Sequence, residues 1–191
     1  MTILVTGGAG YIGSHFVRHL ERKKIDFVIA DNFSTGHKKF VKNKKFFEFD
    51  LKDLEEIRVN LQDLDITSIV HFAGLSIVSD SQKMEKEYYE NSVLDSMNLA
   101  KFAIEKKIRK FIFSSSAAVY GNPEEIPIKE NHPTKPINNY GKNKLEVENL
   151  LKDLSMEFPL DVVCLRYFNA AGADDDGDLG EEHNPETHLI P

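Results

Sequence analysis

Short apolar runs alternate along this chain with stretches in which apolar residues recur every three or four positions. Ile3-Leu4-Val5, Phe27-Val28-Ile29-Ala30, Phe46-Phe47-Glu48-Phe49, Ile69-Val70-His71-Phe72, Phe111-Ile112-Phe113 and Leu160 to Leu165 read as six strands. Between them, Ile12, Phe16 and Leu20 mark a first helix and Leu54, Ile57 and Leu61 a short second one. Tyr89, Val93, Met97, Ala100 and Ile104 form one stripe of a long helix, and Val147, Leu150, Leu151 and Leu154 line another. Residues 121–138, with Pro123, Pro127, Pro133 and Pro136, read as a loop. After Asn169 the chain turns polar, with no helix, strand or internal repeat predicted. Strand–helix alternation of this kind predicts an α/β fold, a parallel sheet covered on both faces. Six strands suit the doubly wound order 3-2-1-4-5-6.

The turn after the first strand reads Gly7-Gly8-Ala9-Gly10-Tyr11-Ile12-Gly13 and opens a helix. Glycines there allow a tight turn and close approach of a pyrophosphate, and the helix N-terminus adds unpaired N–H groups and partial positive charge. Asp31 ends the second strand, where a carboxylate accepts hydrogen bonds from both ribose hydroxyls and repels a 2′-phosphate. The pattern predicts a dinucleotide site that favours NAD over NADP.

Tyr140 and Lys144 stand four apart on a predicted helix and share a face. A free phenol, with a pKa of about 10, is too weakly acidic to serve as a base at neutral pH. A neighbouring ammonium favours the phenolate, and a drop of roughly three units corresponds to ~4 kcal/mol. Ser116, at the end of the fifth strand, falls where open parallel sheets bind ligands and can hold or relay a substrate hydroxyl. Alone, the Tyr–Lys spacing is commonplace; with the glycine turn and the strand-end serine it points to proton transfer beside a dinucleotide.

Composition narrows this reading. The 191 residues suffice for one domain, with 41% hydrophobic and 29% charged residues typical of a globular chain. A net charge of −7 gives no cation excess for nonspecific nucleic-acid binding. The run Lys38-Lys39 to Lys44-Lys45 reads as a solvated face, and the acidic run Asp174 to Asp178 as turn and solvent. Cys164 stands alone and reads as a small core residue, His71 as a packed imidazole. His183 and His188, near Glu181 and Glu182, close no ligand set, so no metal is expected. No apolar run matches a membrane span or signal peptide, and a cytoplasmic location is the default expectation.

Taken together, these stretches resemble the N-terminal part of the UDP-glucose 4-epimerase (UDP-galactose 4-epimerase) family, extended short-chain dehydrogenases/reductases with a Rossmann fold. The matching segments are TGGAGYIGSH (6–15), DNFSTG (31–36), HFAGLS (71–76), FIFSSSAAVYG (111–121), PINNYGKNKLEVE (136–148) and LRYFNAAGADDDGDLGE (165–181). The resemblance implies that Tyr140 takes the proton of a sugar 4-hydroxyl with Lys144 and Ser116 assisting, while hydride passes to NAD and later returns to the other face. It implies NAD contacts from Gly7, Gly10, Tyr11, Ile12, Gly13, Asp31, Asn32, Phe33, Ser34, Thr35, Gly36, Asp50, Leu51, Phe72, Ala73, Gly74, Leu75, Ser76, Tyr140, Lys144 and Phe168. Asn169, with Ser116 and Tyr140, would contact the UDP-sugar. A homodimer through the helices near 85–107 and 138–155 is also implied. Ala118, Asn139, Ser92 and Ser76 depart from the family pattern, where threonine, proline, asparagine and, in some members, lysine stand.

The resemblance further implies residues 1–169 as the NAD-binding domain and 170–191 as the start of a substrate-binding region. Family members continue past the position of Pro191 into a seventh strand and a smaller lobe that grips the uridine. That C-terminal substrate lobe is expected to be largely absent here, which would weaken substrate binding and expose apolar surface. Three readings stay open: a UDP-hexose 4-epimerase, an epimerase for another sugar nucleotide, and a catalytically silent NAD-binding fragment. A related 4,6-dehydratase is disfavoured, because Ser115-Ser116-Ala117 offers no acidic pair.

Overall fold

A computed structural model describes residues 1–182. Strands β1 (Thr2–Thr6), β2 (Phe27–Asp31), β3 (Phe46–Glu48), β4 (Ile66–His71), β5 (Lys110–Ser116) and β6 (Asp161–Tyr167) form one sheet. Their order is β3-β2-β1-β4-β5-β6, all parallel, as the alternation predicts. Helices α1 (Tyr11–Lys23), α2 (Leu54–Leu61), α3 (Glu85–Tyr89), α4 (Asp95–Glu105) and α5 (Asn139–Glu157) cover it.

The strand register sorts residues onto two faces. Leu4 pairs with Val28 and Ile69, Ile69 with Phe111, and Phe113 with Cys164. These residues meet Ile57, Leu61, Leu99, Phe102, Val147 and Leu151 from α2, α4 and α5 in the larger core. Cys164 packs against that core, as a small apolar residue would. Ile3, Val5, Phe27 and Ile29 point the other way and meet Val17 and Leu20 of α1. On that second face Val163 of β6 is 50% exposed and Phe168, just past the strand, 68% exposed.

Three elements differ from expectation. The long helix is not uniform: a π turn at Glu90–Leu94 joins α3 to α4. A π turn carries more residues per backbone bond and rotates the following face. Burial therefore includes Val93 and Ala100 of the predicted stripe but falls also on Tyr88, Ser96, Leu99 and Ala103, while Met97 and Ile104 are half-buried and Tyr89 is exposed. In α1 the buried positions are Gly13, Ser14, Val17 and Leu20, because the face that meets the sheet must present a glycine to the turn after β1. β5 runs through the three serines, with Ser116 opposite Tyr167, because ladder pairing asks nothing of the side chain.

Candidate active site

The carboxyl ends of the strands open onto a cleft of about 240 Å³. It lies where the strand order reverses, between β1 and β4, the position at which open α/β sheets bind ligands. All of the residues named from sequence line it except Phe33. Phe33 instead stacks edge-on against Phe46 with ring centroids 5.5 Å apart, and only its backbone N–H serves the site, donating to Asp31 at 2.9 Å. Phe49, Asn91, Asp95, Ser114, Ser115 and Glu181 also line the cleft and were not anticipated.

Steric limits define the glycine turn. A Cβ on Gly13 would stand 2.1 Å from the Gly7 carbonyl oxygen, and one on Gly7, whose φ is +70°, 2.4 Å from the Ala73 nitrogen. Gly10 differs: φ is −80°, and the nearest protein atom to a Cβ is 3.4 Å away. Nothing in the fold demands a glycine there, whereas a ligand passing over the turn would. The first turn of α1 has no side-chain cap and no acidic residue, so its N–H groups face the cleft without a side-chain acceptor. Asp31 is buried and accepts from the backbone N–H of Ala9 and Phe33, each at 2.9 Å. Burial raises its carboxyl above the usual range, against these two bonds, and each oxygen keeps a lone pair for a further donor. These features fit a dinucleotide: an open, N–H-lined cradle followed by an anchored carboxylate.

At the other end stand Tyr140, Lys144 and Ser116. Asn138 caps α5 through its side chain, which accepts from the Gly141 N–H at 2.7 Å. Asn139 donates to the Ser81 carbonyl at 3.3 Å. Lys144 is 5% exposed; its ammonium donates to the Ser114 carbonyl at 2.8 Å and lies 4.8 Å from the Phe113 ring centre and 5.6 Å from that of Tyr140. Burial lowers its pKa to about 8. Lys144 and Tyr140 thus share a face, but the expected depression of the phenol is not seen. Burial raises the Tyr140 pKa, and the force opposing it is a hydrogen bond from Ser116. The ammonium is held on the Ser114 carbonyl beside the phenol ring.

Buried polar links fix these groups. Glu148 accepts from the Ser115 hydroxyl and from Arg166, at 3.0 and 2.6 Å for the guanidinium nitrogens, tying β5, α5 and β6 together. His71 bridges Thr6, at 2.7 Å, and Ser96, at 2.9 Å. Burial lowers its pKa to about 3, so it stays a neutral packed imidazole.

The acidic run corrects its sequence reading. A turn is present, with the Gly177 N–H on the Asp174 carbonyl at 2.9 Å, but the carboxylates do not simply face solvent. Arg18 reaches Asp174, Asp176 and Asp178 at 3.2, 3.0 and 2.7 Å, and Arg22 grips both oxygens of Asp174 at 2.9 Å. Tyr11 donates to the Gly172 carbonyl at 2.6 Å. The basic run is largely a surface feature, although Lys44 is mostly covered and pairs with Glu21 at 3.2 Å. Among the described residues no group of His, Cys, Asp and Glu is arranged to hold a metal, and no helix is long and apolar enough to cross a membrane. His183 and His188 lie outside the described residues.

A sheet of this order, with a glycine cradle at its switch point and a tyrosine–lysine helix at its carboxyl edge, defines a dinucleotide-binding α/β fold of the Rossmann class. The chain belongs to the NAD dependent epimerase/dehydratase family, whose model matches residues 3–191. It is 44% identical over 191 residues to the UDP-glucose 4-epimerase of Halalkalibacterium halodurans, covering 100% of this chain and 57% of that protein. A solved UDP-glucose 4-epimerase from Brucella ovis in complex with NAD superposes with a TM-score of 0.95 at 41% identity, over 98% of this chain and 58% of the other. The Bifidobacterium longum enzyme in complex with NAD+ and UDP gives 0.91 at 37% identity, over 96% and 58%. The chain thus spans somewhat over half the length of the relatives it matches.

Two outcomes follow. Gly10→Ala should leave stability within ~0.5 kcal/mol but weaken dinucleotide binding tenfold or more, whereas Gly13→Ala should destabilise by about 1–3 kcal/mol. Denaturant melts and calorimetric titration check both. For Lys144, the folded pKa near 8 lies below the 10.5 of the free group, so the folded state holds fewer protons between them and stability rises across that window. Lys144→Met should therefore be more stable than the parent at pH 7, with the gap closing between about pH 8 and 10.5 in thermal melts.

Proposed function

We propose that this chain carries the cofactor-binding and proton-transfer machinery of an NAD-dependent UDP-hexose 4-epimerase, which interconverts UDP-glucose and UDP-galactose through a 4-keto sugar. The observation that carries this reading is convergence: Ser116, Tyr140 and Lys144 line the same cleft as the Gly7–Gly13 cradle and Asp31. The Brucella ovis and Bifidobacterium longum relatives, solved with NAD bound, support the cofactor.

NAD, when bound, supplies a carbon that accepts hydride from the sugar and returns it. Its pyrophosphate would lie over Gly10 at the start of α1, and its ribose hydroxyls would donate to Asp31. Asn32, Ser34, Thr35, Gly36, Asp50 and Leu51 would hold the remainder of that half, and Phe72 to Ser76 the other. Tyr140 removes the 4-hydroxyl proton, and Ser116 donates to its oxygen and so favours the phenolate. Lys144, held on Ser114, adds positive charge beside the phenolate. Burial of the phenol and ammonium strengthens both effects by excluding water. Phe168 and Asn169, exposed past β6, would pack on the nicotinamide and on the UDP diphosphate. Residues 1–169 would form the cofactor domain and 170–191 the entrance to a substrate region.

A second reading is a cofactor-binding chain without turnover, favoured by the burial that raises the Tyr140 phenol and opposes its use as a base. A homodimer would form across α3–α4 and α5, which lie side by side through the Tyr89–Glu146 hydrogen bond of 2.9 Å and expose Leu94 and Met156. Sedimentation at micromolar concentration should give twice the chain mass; a single-chain mass would count against it.

The reading is tested by incubating the chain with UDP-galactose and following UDP-glucose in a coupled assay. Turnover should appear and fall roughly 100- to 10,000-fold in Tyr140→Phe, with NAD binding retained. Binding without turnover in the parent would select the second reading; no NAD binding would overturn both.

A further inference from the structure

Arg18 and Arg22 line no part of the cleft, and no step of the proposed chemistry uses them. They nevertheless join α1 to aspartates 152 to 160 positions away. Standing four apart on α1, they send both guanidinium groups from one flank of the helix. Against that flank lies a hairpin closed by the Asp174 N–H on the Leu179 carbonyl at 2.9 Å. Arg18 spans Asp174, Asp176 and Asp178, while Arg22 holds both oxygens of Asp174 and one of Asp176, each at 2.9 Å. The Asp174 side chain is 7% exposed and that of Arg18 17%, so the pairs form one partly desolvated network rather than isolated surface contacts.

The legs of the hairpin run back to the cleft. Phe168, Asn169 and Ala170 line it on the first leg and Glu181 on the second. Each leg is pinned again beside the glycine cradle. On the first, the Gly172 carbonyl accepts from the Tyr11 hydroxyl at 2.6 Å. On the second, the Glu182 carbonyl meets the His37 ring at 3.1 Å, and its carboxylate pairs with Lys39 at 2.5 Å. His37 is itself joined to the cradle, its N–H donating to the Ala9 carbonyl at 3.0 Å. The segment thus runs from β6, at the sheet edge, to the turn after β1, where the pyrophosphate would lie. It carries no helix or strand over residues 168–182, so side-chain ties hold it in place.

We propose that Arg18 and Arg22 are positioning residues for the cofactor: they latch residues 168–182 as a strap along the rim of the cleft, and the latch limits how fast a bound dinucleotide leaves. The inference rests on the dinucleotide reading above. A dinucleotide seated on the cradle has the strap as one wall of its exit, so release follows unlatching. Ion pairs that share Asp174 act as a unit: removing either set of charges frees the strap, and removing both adds little. Salt loosens the same unit, because the screening length falls from about 10 Å at ~0.1 M to about 3 Å at ~1 M.

The test is release of NADH from the full chain, chased with excess NAD and followed by nicotinamide fluorescence. In the parent, release should quicken severalfold between ~0.1 and ~1 M sodium chloride. Arg18→Gln/Arg22→Gln should release about tenfold faster at low salt, with association no slower and a weaker response to salt. Asp174→Asn/Asp176→Asn/Asp178→Asn should behave alike, and combining the two sets should add less than about twofold. Arg18→Lys/Arg22→Lys, which keeps both charges, should keep most of the salt response. The two sets reach the latch from opposite sides, so the test stands if one of them does not fold. Release and salt response equal to the parent's in either set overturn the proposal. Slower association with unchanged release overturns it too, since that marks a damaged cradle, as do effects of the two sets that multiply in full. If the parent binds no NADH, the cofactor reading itself falls and takes this inference with it.

Discussion

The approach of α1 to the turn after β1 is the contact on which the rest of the molecule depends. It is closed to the width of a hydrogen atom at Gly13 and to less than a side chain at Gly7. This closeness points the start of α1 straight into the cleft and leaves Gly10 open above it. It also orients the cleft: a dinucleotide with its phosphates at β1 would extend toward Tyr140 on the β5–β6 side and toward Asp31 on the β2–β3 side.

The reacting side keeps its geometry through buried charge rather than apolar packing. Glu148 and Arg166 bind three elements together beneath Ser115, and Lys144 is held on a strand carbonyl. Removing one member of such a group leaves the other buried and unpaired, which is why these links specify one arrangement more than they add stability. The two apolar cores on either face of the sheet supply the stability that tolerates them.

Much of this was legible in the sequence because it depends on local pattern. The six strands show as apolar runs, their order follows from alternation with helices, and the glycine turn announces itself between a strand and a helix. Most of the cleft-lining set, Phe33 apart, came instead from the resemblance to a known family. What escaped depends on partners distant in sequence. Asp174, Asp176 and Asp178 look like solvated turn residues until Arg18 and Arg22 meet them across the fold. The π turn has no composition of its own, and by rotating α4 it buries Ser96 and Asp95, which periodicity placed elsewhere. Spacing puts Lys144 near the Tyr140 phenol but does not show that the Ser114 carbonyl holds its ammonium or that burial raises the phenol. The burial of a carboxylate such as Asp95 has no sequence signal at all.

The most direct test of the whole account is a crystal structure of this chain grown with NAD. The account predicts the pyrophosphate over Gly10, a ribose on Asp31, the nicotinamide beside Tyr140 and Lys144, and the adenine by Asp50 and Leu51. A dinucleotide bound in the reverse direction, or one bound away from the Gly7–Gly13 turn, would contradict it.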